Sequence, residues 1–341
     1  MLKVRFNVVA IFLYLFPALL YLYLTNLSKV NFYDESLFAI KVSVFFTVGG
    51  FLLGLMLSRK LTFKLINYSS NFYLLSAKFL ILIAILSISI QLLKFGIPVF
   101  NNSIREYILN GIFWNIFTFS SMVGLFFSSY LYFSQNIKFD KFFKFLLFLL
   151  FFLTFLTGWK SVLINCILIF FSFFILYKNI KITLLMKIFF TFLVIFFGIN
   201  ALRSGNYTVS FLELFNYLFY GFENFSRIAP SYSSNCLHSI PLFNCQFSYD
   251  NAQLINPTFN VYTALMPIYA DGKSLLVGLV FFSCAFLLGL IRDYKNSFFI
   301  FFLFYLLHYF FMMAHNGYVF NSGSFFIVLV LLLILDLTRV R

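Results

Sequence analysis

The sequence predicts an all-α, polytopic membrane protein. Three observations carry that expectation: the composition, the spacing of the apolar runs, and the sidedness of the charges. Hydrophobic residues make up 62% of the 341-residue chain and charged residues only 10%. A soluble domain carries roughly 25% charged residues, and burial on folding saturates near roughly 75% of the chain's surface. Lipid is the solvent that accommodates this much apolar surface. A net charge of +14 would suggest nucleic acid in a soluble protein. Here its distribution sets orientation in a membrane, and no nucleic-acid partner is expected.

A membrane-crossing helix needs about 17 to 25 mostly apolar residues. Ten such runs follow one another: 6–25, 37–57, 72–93, 113–133, 142–157, 162–177, 188–202, 275–291, 297–313 and 324–338. The first lacks a small-residue cleavage site and reads as a retained helix rather than a signal peptide. The fifth and sixth are short and separated only by Gly158, Trp159, Lys160 and Ser161, which predicts a tight turn with an interfacial Trp.

Orientation follows from the basic residues. If odd-numbered helices run outward, the inner loops and ends hold Lys3, Arg5, Arg59, Lys60, Lys64, Lys78, Lys138, Lys141, Lys144, Lys178, Lys181, Lys187, Arg292, Lys295, Arg339 and Arg341, two-thirds of the 24 Lys and Arg. Every inner loop then has at least two, as the positive-inside rule requires. Both termini are expected in the cytoplasm, and the even helix count agrees. Acidic residues show the opposite bias: Asp34, Glu35, Glu106, Glu213, Glu223, Asp250 and Asp271 fall outside, and only Asp140, Asp293 and Asp336 inside. Topology rules ignore acids, so this bias points to polar chemistry on the outer face.

Loop lengths point the same way. Inner loops are short. One outer loop, 203–274, is long, and loops beyond about 15 residues are usually functional or disordered. Its many aromatics argue against disorder. Within it, 209–225 places Phe211, Leu212, Phe215, Leu218, Phe219 and Phe222 at helical spacing, which predicts an amphipathic helix at the membrane surface. A smaller outer loop, 95–112, is polar. No internal repeat or low-complexity linker divides the chain, so a single transmembrane domain is expected. Cys236 and Cys245 lie in the long loop on the oxidising side and are expected to pair as a disulfide. Cys166 and Cys284 fall in apolar runs and read as small core residues.

Several outer residues carry the right chemistry for an anionic lipid-linked substrate. Arg105, Lys160, Arg203 and Arg227 are cations on the side where the charge rule disfavours them. Guanidinium groups bind phosphate oxygens in bidentate fashion and Lys binds them as a point charge; the competing reading is snorkelling to lipid headgroups. Glu223 lies four residues before Arg227, which suits either a helix surface pair or a general base. His315 sits in a polar segment at an outer helix end, and His308 lies within an apolar run, where a neutral imidazole bonded to a neighbouring helix is the commoner role. His238 reads as structural. Gln91, Asn115 and Asn165 read as interhelical hydrogen-bonding residues. No Asp-x-Asp element, P-loop, GxGxxG, HExxH or GxSxG occurs, so no cofactor and no metal is expected.

The segment 256–273 resembles the signature of the bacterial oligosaccharide repeat-unit polymerases, the O-antigen polymerases of Wzy type. Asn260, Tyr262 and Thr263 match its Asn-x-Tyr-Thr element, and Tyr269 and Asp271 match the Tyr and Asp that lead into an apolar helix. The family has Gly two residues after the Asp; here Gly272 follows at once, then Lys273. Gly96-Ile97-Pro98-Val99-Phe100 is similar to the family's lead into an outer loop bearing an Arg, here Arg105. Thr157-Gly158-Trp159-Lys160-Ser161 is similar to its Gly-x-Arg/Lys turn. The resemblance implies a helical membrane glycosyltransferase of GT-C-like layout in the bacterial inner membrane, acting at the periplasmic face on undecaprenyl-diphosphate-linked repeats, with a membrane-bound chain-length regulator as a further partner. It implies that Lys160, Arg203 and Arg105 stabilise the diphosphate leaving group, that Glu223 or His315, ahead of Asp271, takes the acceptor's proton, and that Asn260, Tyr262, Thr263 and Asp271 contact sugar. An O-antigen ligase shares this layout. A flippase or transporter would show broken midplane helices or repeated halves, which the sequence lacks. A membrane acyltransferase would use an embedded His, for which His308 is the one candidate.

Overall fold

The structure, a computed structural model, describes residues 6–28, 34–58, 70–99, 112–158, 160–177, 221–229 and 265–290, together with Thr263 and the isolated positions 104, 107, 108, 183, 187, 190, 191, 194, 197 and 198. The described elements are all helical. In chain order they are α1 (Phe6–Ser28), α2 (Asp34–Ser58), α3 (Ser70–Phe95), α4 (Ile112–Ser134), α5 (Lys141–Leu156), α6 (Lys160–Tyr177), a helical stretch over 221–228, and α7 (Leu265–Leu290). Four of them, α2, α3, α4 and α7, are long and apolar enough to cross a membrane. At 1.5 Å per residue a 25-residue helix is about 38 Å long, which exceeds the roughly 30 Å of a hydrocarbon core.

These helices invert the soluble pattern. The buried face of α2 is small and partly polar: Ser36, Ala39, Ile40, Ser43, Thr47, Gly50 and Gly54. Its large apolar side chains face out, with Phe45 74% and Met56 68% exposed. In α3, likewise, Ala77, Ala84, Ser87 and Gln91 are buried while Leu75 and Leu93 are exposed. In water such surfaces would aggregate; against lipid they are the expected exterior. Several buried hydroxyls satisfy themselves within their own helix. Thr47 Oγ1 donates to the Ser43 carbonyl at 2.7 Å, and Thr154 Oγ1 to the Leu150 carbonyl at 2.7 Å.

The chain divides into two compact units, Met1–Arg5 with Asn67–Leu212 and Phe6–Ile66 with Glu213–Arg341. In the first, α3 and α4 are antiparallel. Tyr73 near the start of α3 packs on Phe127 and Tyr130 near the end of α4, at centroid distances of 5.1 Å each. Gly124 lies against Ile81, where a Cβ would come within 2.8 Å of the Ile81 side chain. By contrast α3 and α5 are parallel. Lys78, in the first half of α3, pairs with Asp140 just before α5 at 2.7 Å, and beyond the other end of α3 the Val99 amide donates to the Leu156 carbonyl at 3.2 Å. Asp140 also caps α5 by accepting from the Phe143 amide at 2.7 Å. The last turns of α4 meet α6 through Phe133, which packs on Phe170 and Phe174.

In the second unit α2 and α7 are parallel and lie backbone to backbone. Glu35 meets Tyr269, Val42 and Phe46 meet Gly278, Gly50 meets Phe282, and Gly54 meets Phe286 and Leu290. A Cβ on Gly50 would lie 2.5 Å from the Phe282 carbonyl oxygen, and one on Gly289 would lie 2.5 Å from that of Phe51. Gly50 and Gly54, four apart, therefore form the small-residue seam that lets membrane helices approach closely. Antiparallel to α2, α1 contributes Tyr14, whose hydroxyl bonds Ser43 and whose ring meets Phe281 at 5.0 Å.

The helix limits fall close to those expected from apolar run length for α1 through α6. They differ at α7, expected at 275–291 but beginning at Leu265. Pro267 is tolerated there because the first turn of a helix needs no donor from it. The extra two turns end in a break at Gly272 (φ −157°, ψ 25°) and Lys273 (φ 51°, ψ −156°), after which the long helix resumes.

Candidate functional site at one end of α2 and α7

The start of α2, the stretch 221–228 and the first turns of α7 converge at one end of the second unit. The stretch 221–228 covers the last part of the amphipathic helix expected over 209–225 and runs three residues past it. Its apolar face is filled by helices: Phe222 stacks on Tyr21 of α1 at 5.3 Å, and Phe225 meets the Tyr269 ring edge-on at 5.6 Å. Both Phe side chains are fully buried. Ser226 ties three elements together. Its hydroxyl lies 3.2 Å from the Tyr21 hydroxyl, and its carbonyl accepts from Ser36 of α2 at 3.3 Å. The Thr263 amide donates to the Gly221 carbonyl at 3.3 Å, which joins the segment before α7 to the same stretch.

On the outward face of this stretch, Glu223 and Arg227 approach to 4.0 Å across one helical turn. That distance and their exposure make it a weak pair. Partial burial pushes the Glu223 carboxyl above the ordinary glutamate range, and the neighbouring Arg227 guanidinium only partly opposes this. Thr263 is fully buried, and its hydroxyl has no hydrogen-bond partner among the described residues. Placed so, it offers no surface to a sugar. Asp271 is half-exposed in the last turn before the break.

Three residues outside the expected set complete this end. Tyr269, 1% exposed, donates its hydroxyl to Glu35 Oε2 at 3.3 Å. The Lys273 ammonium lies over the Tyr269 ring at 4.8 Å from its centroid, a cation–π distance. Composition had placed Glu35 on the outer side and the signature had picked out Tyr269, but nothing local joins them, since 234 positions separate the pair.

In the first unit, the turn expected between α5 and α6 is present. Gly158 adopts φ +62°, and a Cβ there would lie 3.1 Å from the Val99 Cα. Lys160 is the first residue of α6, two positions past the Gly158–Val99 contact. Gln91 and Asn165, expected to bond across helices, are buried, but their side-chain oxygens have no hydrogen-bond partner among the described residues. Arg105, Arg203, Asn260, Tyr262, His315 and the Cys236–Cys245 pair, along with His238 and His308, lie outside the described residues. Among the described residues no three His, Cys, Asp or Glu side chains are grouped as a metal would need.

These features define an all-helical protein with helices fit to cross a membrane and an acidic, aromatic cluster at one helix end. No family model matches the chain, and no curated protein or solved structure matches it significantly.

Proposed function

We propose that the chain is a polysaccharide polymerase of the bacterial inner membrane. In this reading about ten helices cross the bilayer with both termini inside. Undecaprenyl-diphosphate-linked oligosaccharide repeats are joined into O-antigen or capsular polysaccharide at the periplasmic face. The acceptor sugar's hydroxyl oxygen attacks the anomeric carbon of the donor chain, the bond to the diphosphate breaks, and undecaprenyl diphosphate leaves as an anion. Lys160, Arg203 and Arg105 stabilise the charge that develops on the leaving group. Glu223 or His315 accepts the proton. Asn260 and Tyr262 contact sugar. The reaction as written consumes no nucleotide, in keeping with the lack of a P-loop in the sequence.

One observation carries the reading. Residues of segments expected outside meet one another within each unit: Glu35, Ser226, Tyr269 and Lys273 at one helix end in one, and Val99 and Gly158 at a turn in the other. Glu223 adds a carboxyl whose proton affinity partial burial raises, the direction in which general bases are tuned.

Deleting the gene is expected to collapse the lipopolysaccharide ladder to core plus a single repeat on a gel. Loss of every repeat, the single one included, would instead indicate a ligase or a flippase. Arg203→Ala is expected to abolish the ladder while the protein still inserts; an unchanged ladder removes Arg203 from the site.

A further inference from the structure

We propose that the turn between α4 and α5, together with the exposed face of α5, is a binding site for an anionic phospholipid of the surrounding membrane. Lys138, Lys141 and Lys144 hold the headgroup phosphate, and Phe145, Phe148 and Phe152 pack on the acyl chains. The site needs no glycan chemistry, so it stands or falls apart from the polymerase reading.

The turn is fixed by its own contacts. The Gln135 and Ile137 amides both donate to the Leu131 carbonyl, at 3.2 and 3.1 Å, around Asn136 at φ 54°. This is a left-handed cap on α4, a conformation that Asn adopts more readily than most side chains. Phe139 then packs on Tyr132 at 5.8 Å and on Phe143 at 4.7 Å between ring centroids. Lys138 is exposed on this turn, and Lys141 and Lys144 are exposed in the first turn of α5. A frame already ordered loses less freedom when a ligand arrives.

Charge and helix direction decide the headgroup. Asp140 is the acid beside these lysines, and both of its oxygens are taken, Oδ1 by the Phe143 amide and Oδ2 by Lys78, each at 2.7 Å. The sequence of this unit holds one other acid, Glu106, in the loop 95–112 expected on the opposite side. Among the described residues Lys138, Lys141 and Lys144 make no ion pair. The start of a helix favours anions and disfavours cations, yet the first turn of α5 has two lysines and no acid. A bound phosphate answers both the ammonium groups and the helix end. A zwitterionic headgroup would bring a further cation to the cluster.

The apolar face makes the ligand a lipid rather than a free phosphate. Lys141, Phe145, Phe148 and Phe152 fall at helical spacing on one face of α5, with Lys144 at its edge. The opposite face, Phe143, Leu146, Leu150 and Leu153, is buried. Phe145, Phe148 and Phe152 are exposed, and the last two rings stack at 6.4 Å. At 1.5 Å per residue Phe152 lies about 16 Å along the axis from Lys141, about half of the roughly 30 Å hydrocarbon core. One face thus presents cations at its head and aromatic rings over the depth of one leaflet.

The test is native mass spectrometry of the full-length protein, released from detergent micelles doped with phosphatidylglycerol or with phosphatidylcholine. Wild type is expected to retain phosphatidylglycerol roughly tenfold better, the scale of one or two lysine–headgroup attractions. Lys141→Gln and Lys144→Gln should each cut that preference severalfold, and both together with Lys138→Gln should abolish it. Arg59→Gln, Lys60→Gln and Lys64→Gln together, in another segment expected inside, should leave it unchanged. Excess inorganic phosphate should not displace the lipid. Equal retention of the two lipids by wild type, or an unchanged preference in the single variants, overturns the proposal. An equal loss from the variant at positions 59, 60 and 64 also overturns it, by making net charge the cause. Displacement by inorganic phosphate does the same, as does a dimer that the lysine substitutions dissociate.

Discussion

Partial burial gives Glu223 a proton affinity above that of the same side chain in the unfolded protein. Protonated Glu223 therefore favours the folded state. That contribution is fully present below the ordinary glutamate pKa and is lost as pH rises through the raised value. Glu223→Gln is expected to flatten the dependence of unfolding temperature on pH across this interval and to leave stability at neutral pH equal or slightly higher. As a base the carboxylate works only above its folded pKa, so polymerisation by the wild type should climb with pH through the same interval. Glu223→Gln should cost about 10²- to 10⁴-fold in rate, the usual contribution of a general base. A variant with a wild-type rate and pH profile would move the proton acceptor elsewhere. Asp140 behaves oppositely. The hydrogen bond from Lys78, then that from the Phe143 amide, holds its carboxyl below the ordinary aspartate range. Its contribution is present at and above the ordinary aspartate pKa and fades as pH falls through the lowered value. Asp140→Asn keeps a side-chain acceptor for the cap but loses the ion pair, so it should unfold at a higher temperature than Asp140→Ala.

Helix contacts show what the sequence made legible and what it did not. Apolar run length located α1 to α6 because an apolar segment away from water must satisfy its backbone groups internally, as a helix does. The start of α7 escaped because Pro267, Asp271 and Gly272 carry turn signals that are satisfied here by a first-turn proline and a break. Gly50 and Gly54 stand four apart in the sequence, but the helix they meet lies far along the chain and no local pattern names it. The parallel seam they form with α7 yields a sharp expectation. Gly54→Val or Gly50→Leu forces a side chain into a carbonyl and is expected to destabilise the protein by about 1–3 kcal/mol, the cost of overpacking. The exposed Gly49, whose Cβ would meet nothing within 4 Å, should tolerate Ala with little change. Thermal unfolding in detergent, followed by size-exclusion fluorescence, separates the two. Equal behaviour of the position 49 and position 54 variants would contradict the seam. Gly158→Ala should likewise loosen the Val99–Leu156 junction, since it adds a Cβ against Val99 at a backbone angle that costs an L-residue roughly 1–2 kcal/mol.

At the scale of the whole molecule, helix polarity limits topology more tightly than charge counting does. Two helices that cross a bilayer in the same direction must be separated by an odd number of crossings. The pairing of Glu35 with Tyr269 and of Gly54 with Phe286 makes α2 and α7 parallel. Only α3, α4, α5 and α6, four helices, stand between them up to Tyr177. If all four cross, one further crossing has to lie between Tyr177 and the stretch 221–228, and the apolar run 188–202 is the segment of sequence able to supply it. The parallel pairing of α3 with α5 and the antiparallel pairing of α3 with α4 obey the same rule without any addition. The expected result is specific. A topology reporter fused after Lys181 reads cytoplasmic, and one fused after Asn206 reads periplasmic. If both fusions report the same side, run 188–202 does not cross, and either the long loop faces the cytosol, where no flipped glycan could reach it, or one of α3 to α6 fails to span. Fusions after Gln135 and Gly158 then test α5, the shortest of the four, because its crossing alone separates them.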